Sequence, residues 1–101
     1  LGRAMRVLHH DVVGVQREKW SVDPFGAIRK DGFLYGRGAV DDKDNVVASL
    51  MTLILLKRNN VALDRDVIFI AESGEEGSPG VGIIHLVNQH WPKIEAEYCL
   101  A

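Results

Sequence analysis

The stretch Asp66-Val67-Ile68-Phe69-Ile70-Ala71 decides the fold class of this chain. It is an unbroken apolar run too short for an ordinary helix, and it lacks the polar alternation of a strand with one wet face. It predicts a strand buried on both faces, of the kind found in the middle of a parallel sheet. The residues after it, Ser73-Gly74-Glu75-Glu76-Gly77-Ser78-Pro79-Gly80, form a loop by composition. Before it lies the strongest helical pattern in the chain, Asp42 to Asn60. There Val46, Val47, Leu50, Met51, Ile54 and Leu55 recur at three- and four-residue intervals and define one broad apolar face. That helix opens with acids and closes with Lys57-Arg58, which complements its dipole, and Asn59-Asn60 is its stop.

Working outward, Ala4 to Leu8 reads as a largely buried strand that ends at His9-His10-Asp11. Val12 to Pro24 has no period and is read as a packed loop around Trp20. Ala27 to Arg29 and Phe33 to Gly36 flank Lys30-Asp31-Gly32, a hairpin with an Asp-Gly turn. Val81 to Trp91 is read as a second helix, and Ala96 to Ala101 as another short strand. The order strand, hairpin, helix, strand, helix, strand predicts an α/β fold, a mostly parallel sheet with flanking helices, without internal repeats.

Composition bounds the function. With 101 residues, 47% of them apolar and 26% charged, the chain can build one small core. A formal net charge of −2 provides no basic field for a phosphate backbone, so nucleic acid is excluded as an expected partner. Apolar runs such as Leu53 to Leu56 fall far short of a membrane span, and no charged-then-apolar leader opens the chain, so the expected setting is soluble and cytoplasmic, with no membrane partner. Cys99 is the sole cysteine and is expected to be a small buried hydrophobe. A start at Leu1, in the run-up to a strand, predicts a piece of a longer protein.

Three polar clusters stand where buried segments end. In open α/β sheets, ligands gather at the carboxyl ends of strands, and both His9-His10-Asp11 and Glu75-Glu76 follow such ends. Asp41-Asp42-Lys43, at the amino end of the long helix, faces the same edge if the crossover is right-handed. An imidazole with several carboxylates suits zinc or a similar divalent ion. On extended backbone His9 and Asp11 share a side, so the carboxylate could orient the ring. The alternative is a polar strand end with Asp11 capping a turn. His10 points the other way and is read as a bystander. Asp41 and Asp42 admit a capping role at the helix start, but Gly36 and Gly38 just before them permit unusual backbone or close approach. Lys43 is read as a solvated helix-surface lysine. In Glu75-Glu76, adjacent side chains diverge, so that one carboxylate can hold a metal while the other takes a proton from water. His85 and His90 are read as packing or surface residues, not paired at a zinc spacing.

Together these clusters resemble the M20 family of metallopeptidases, which includes aminoacylases and related amidohydrolases. The resemblance runs through His9-His10-Asp11-Val12-Val13, Trp20, Pro24-Phe25, Asp31-Gly32-Phe33-Leu34-Tyr35-Gly36-Arg37-Gly38-Ala39-Val40-Asp41-Asp42-Lys43 and Glu75-Glu76-Gly77. It implies a zinc-exopeptidase-like catalytic domain with two Zn2+ ions per site, Co2+ or Mn2+ being the alternatives. His9, Asp41 and Glu76 would be metal ligands, with Asp41 bridging; Glu75 would be the general base and Asp11 would orient His9. The Asp41-Asp42 peptide would be cis. Asp44 departs from the glycine usual after the lysine. The substrate would be a small peptide or an N-acyl amino acid, as for aminoacylase- or carboxypeptidase-like members.

The resemblance also implies parts not found here: a dimerisation or lid domain, the C-terminal part of the catalytic domain, a further acidic ligand after the strand at Ala96 to Ala101, and a later histidine. Glu95 and Glu97 are not assigned to that missing position. The expectation is therefore that residues 1–101 are a fragment of such a catalytic domain, inactive or weakly active alone. The alternative is a non-catalytic folded remnant that self-associates as a homo-oligomer through an open sheet edge.

Overall fold

The computed structural model describes residues 2–101. Its centre is a three-stranded parallel sheet in the order β4-β1-β5, where β1 is Arg3–His9, β4 is Asp66–Glu72 and β5 is Tyr98–Leu100. β1 pairs with β4 along its whole length, from Arg3 opposite Asp66 to His9 opposite Glu72, and with β5 from Ala4 to Arg6. A separate antiparallel hairpin joins β2 (Ile28–Lys30) to β3 (Phe33–Tyr35). Its Asp31-Gly32 turn has positive φ at both residues, 52° and 81°, the mirror-image turn that matches strand twist. Two helices complete the fold, α1 (Asp44–Arg58) and α2 (Ile83–Ile94). A single helical turn at Arg17–Lys19 is the one regular piece in the loop expected around Trp20.

The α/β class and the order of elements are as expected from the sequence, with four corrections. The apolar run of β4 is not a central strand: β1 takes that place and β4 lies at an edge, with Val67 40% exposed. The run says nothing about lateral neighbours, and β4 is buried on one face only, at Ile70 and Glu72, with Val67 and Ala71 exposed on the other. Cys99 is exposed, because β5 is the opposite edge and all three of its residues are exposed. The broad apolar face of α1 is not buried either: Val47, Leu50, Met51 and Leu55 are all exposed, and an open cleft of about 220 Å³ is lined by Leu53 and Leu56 of α1 and Val67 and Phe69 of the sheet.

Finally, α1 begins at Asp44, two residues later than the periodicity suggested. Gly38, in left-handed conformation (φ 76°), starts a wide turn over Ala39–Lys43 in which Asp41 and Asp42 hold non-helical dihedrals (φ −127° and −136°). The Asp41-Asp42 peptide is cis.

The core sits on the other face of the sheet. Val7, Ile70 and Ile94 are buried there, with Met5, Ile68, Ile83 and Leu86 packed around them. Alternation along a strand then places His9 on this same face as Met5 and Val7, and Glu72 beside it as the register partner. Both polar residues are buried, at the carboxyl edge of the sheet.

Candidate metal centre

His9 is the last residue of β1, and its position is fixed by the strand pairing that buries it. Its Nδ1 lies 3.3 Å from the Asp11 backbone oxygen. A carbonyl can only accept, so Nδ1 carries the hydrogen, and Nε2 is left as the outward nitrogen. Nε2 lies 3.1 Å from Asp41 Oδ1 and 3.8 Å from Glu75 Oε2. Thus residues 32 and 66 positions apart from His9 in the chain converge on one ring nitrogen through the topology of the sheet edge.

Electrostatics follow this geometry. Burial works against charge on the ring, but the hydrogen bond to Asp41, the Asp11 carbonyl and the charges of Glu75 and Asp41 together hold the His9 pKa above its ordinary value of 6.5.

Asp11 acts differently from the simple same-side picture, because β1 ends at His9 and the chain turns. Its carbonyl, not its carboxylate, accepts from His9; Oδ1 is 3.6 Å from Nδ1, beyond hydrogen-bond reach. Instead, Asp11 Oδ2 accepts the Glu76 backbone N–H at 3.2 Å. Burial tends to raise the Asp11 pKa, yet the amides of Glu76, Asp11, Glu75 and Gly74 hold it below the usual carboxylate value. Asp11 thus anchors the loop that carries both glutamates. No residue pattern signalled this, because the donors are backbone groups.

The remaining residues are placed as follows. Asp41 does not cap α1, whose start has no side-chain cap; it turns to His9. Asp42 accepts from the Asn45 side chain at 2.7 Å. Lys43 is more than a solvated lysine, because its Nζ donates to the His10 carbonyl at 2.8 Å and ties the α1 entrance to the end of β1. His10 points away from His9, to Ser73 Oγ at 3.2 Å. Glu76 enters the cluster through its backbone; the ion-pair partners of His9 among the described residues are Asp11, Asp41 and Glu75.

The donor set fits part of a divalent-ion shell. Tetrahedral zinc ligands at about 2.0–2.1 Å from the ion stand about 3.4 Å from one another. The 3.1 Å between Nε2 and Asp41 Oδ1 is close to that value, while Glu75 Oε2 stands farther from Nε2, at 3.8 Å. Among the described residues, however, no group of three or more His, Cys, Asp or Glu side chains closes into a complete metal-holding cluster.

Residues 7–101 match the profile of Peptidase family M20/M25/M40. The chain belongs to this family. It is 42% identical over 74 residues to the N-fatty-acyl-amino acid synthase/hydrolase PM20D1 of Homo sapiens, which covers 73% of this chain and 14% of that relative. To the succinyl-diaminopimelate desuccinylase of Methylorubrum extorquens it is 37% identical over 97 residues, 91% of this chain and 25% of the relative. To the probable carboxypeptidase S-like 1 of Dictyostelium discoideum it is 30% identical over 83 residues, 82% of this chain and 17% of the relative. The chain therefore spans a quarter or less of the length of these M20 relatives, whose names are those of a synthase/hydrolase, a desuccinylase and a carboxypeptidase. No helix among the described residues is long and apolar enough to cross a membrane.

Proposed function

We propose that this M20 chain carries the first half of a metal-assisted amide-hydrolysis site, in which His9, Asp41 and Glu76 are ligands, Glu75 is the general base and Asp11 is a positioning residue. The observation that carries it is the convergence of Asp41 and Glu75 on Nε2 of a buried histidine whose Nδ1 is committed to a backbone carbonyl. That commitment leaves Nε2 as the nitrogen able to ligate, and it fixes the plane of the ring. Divalent ions, Zn2+ in this reading with Co2+ or Mn2+ as alternatives, would supply Lewis acidity and lower the pKa of water to about 7 when bound.

The chain's own residues would do the rest. Glu75, 53% exposed and held beside the cluster by the Asp11-anchored loop, is free to take a proton from water and return it to the leaving amine. Asp41, 75% exposed, can turn either carboxylate oxygen outward while one stays near His9. Beside the cluster opens an apolar cleft of about 640 Å³, lined by Val12, Phe25, Leu34 and Val47 and sharing Lys43 with the site. It suits the acyl group of an N-acyl amino acid, in line with the acylated substrates in the names of two relatives.

The chain is proposed to be a fragment of a catalytic domain, weak or inactive alone, since two convergent side chains around one imidazole do not complete a shell. Equilibrium dialysis against zinc, with hydrolysis of N-acyl amino acids and dipeptides assayed in the same samples, tests this. Asp41→Asn should weaken zinc binding by about 10-fold or more, and Glu75→Gln should leave zinc binding near wild type while removing any hydrolysis. Zinc bound equally well without Asp41, or hydrolysis unchanged by Glu75→Gln, would overturn the respective assignment.

The exposed outer strands favour one second reading, a non-catalytic module that self-associates through the sheet edge at β5. A chain that binds no zinc yet forms defined oligomers in sedimentation would favour it.

A further inference from the structure

His85 and His90 lie on α2 and share no residue with the His9 cluster. Five residues on an uninterrupted helix turn through about 500°, which would leave the two side chains about 140° apart around the axis. Spacing alone therefore separates them. The structure does not: His90 leaves helical dihedrals (φ −135°, ψ 18°) two residues before Pro92, whose ring and missing N–H disrupt the turn ahead of it. The irregular step brings the rings together, with centroids 5.3 Å apart and planes inclined at 69°. His85 is exposed and His90 half-buried, so the pair is reachable from solvent.

Two imidazoles that bind one tetrahedral ion through single nitrogens at about 2.0–2.1 Å have ring centroids about 5.2 Å apart. The observed separation of 5.3 Å is close to this, so the two rings already stand at the distance that a shared ion would set.

We propose that His85 and His90 form a two-histidine chelate for a divalent transition-metal ion. Among the described residues no third His, Cys, Asp or Glu joins them, so water would fill the remaining positions and the ion would be exchangeable. Neutral imidazole donors select zinc, nickel or copper over magnesium and calcium, with copper bound most tightly. A bound ion would tie the irregular residue His90 to the regular turn that carries His85 and stiffen α2 there.

Zinc titration of the 101-residue chain, followed through the imidazole nitrogens by long-range proton–nitrogen NMR, tests the proposal. The His85 and His90 signals should move together with one midpoint. His85→Gln should abolish the response of His90 and weaken binding at this place by roughly tenfold or more, because the second ring binds at high effective concentration. Separate midpoints for the two rings, a His90 response unchanged in His85→Gln, or zinc responses confined to His9 would overturn it. His9 gives its own signal, so the outcome here is independent of the proposed hydrolytic site.

Discussion

At the scale of single residues, His9 shows how a side chain acquires a role from what fixes its other nitrogen. Its raised pKa gives two pH dependences of opposite sign. In the metal-free protein, the pairing of the imidazolium with Asp41 and Glu75 stabilises the fold fully below the unfolded-state value of 6.5, and this contribution is lost as pH rises through the higher folded-state value. Zinc requires the neutral ring, so apparent zinc affinity should increase over the window in which fold stability from this pair declines. Zinc titrations between about pH 6 and about pH 8 check this, that being the range in which histidine changes charge. Asp41→Asn should move the transition to lower pH, since the Asp41 hydrogen bond is the largest of the effects that raise the His9 pKa. A flat affinity profile across this range would remove His9 from the ligand set. Much at this scale was legible beforehand: His9, Asp41 and Glu75 are brought together as the punctuation of the sequence suggested. The part played by Asp11 was not, because its partners are the amides of a loop whose path depends on the whole sheet edge.

Among the elements, the loop from β4 to α2 is held by close backbone approach. A methyl group on Gly82 would overlap the Ser73 carbonyl oxygen and stand 2.7 Å from Glu72 Oε2. Gly74 has φ 86°, and a methyl group there would overlap the Ser78 carbonyl oxygen. These glycines let the loop fold back so that Glu75 and Glu76 reach Asp11 and His9. Gly82→Ala should destabilise the chain by about 1–3 kcal/mol, the usual cost of an overpacked site, and should also weaken zinc binding by displacing the loop. Urea denaturation paired with zinc dialysis reads both effects; an unchanged midpoint would show that the loop yields elsewhere. The hairpin is legible from its Asp-Gly turn and α1 from its three- and four-residue apolar spacing, whereas α2 carries apolar residues at mixed spacing only. The acids at Asp42 suggest an earlier start for α1 than the structure shows, because acidic residues suit a helix start while the backbone at Asp41 and Asp42 is non-helical, with Asp41 set against His9. The His85–His90 pair is not legible in the sequence for a related reason: helical spacing assumes a continuous helix, and α2 is not continuous at His90.

For the whole molecule the decisive quantities are size and surface. The radius of gyration is 16.4 Å, whereas a compact domain of this length has about 13 Å. The accessible surface is 7337 Å², whereas a compact monomer of this length exposes about 5,700 Å². The excess, about 1,600 Å², is about twice the roughly 800 Å² that one partner gives up in a standard protein–protein interface. Exposed apolar residues on α1, Phe33 and Leu34 of the hairpin and Tyr98 and Leu100 of β5 contribute to it. Sedimentation should therefore show concentration-dependent association, and Leu100→Lys, at a position 66% exposed on β5, should weaken it. A chain that stays monomeric at every accessible concentration would count against the exposed edge as a contact. The core is correspondingly small, with Val7, Leu8, Ile70 and Ile94 as its buried apolar residues among those described. Ile94→Ala should cost about 2–5 kcal/mol, enough to unfold much of a marginally stable chain at room temperature, as circular dichroism would report.

The sequence by itself determined the class of fold, the order of its elements and the three clusters with their chemical character, because hydrophobic period, turn residues and ligand type are local properties. Only the tertiary structure decided which strand is central, which faces are covered and which atoms meet. Those depend on lateral strand pairing and on backbone breaks at Asp41 and His90. Neither the period of a strand nor the period of a helix encodes them.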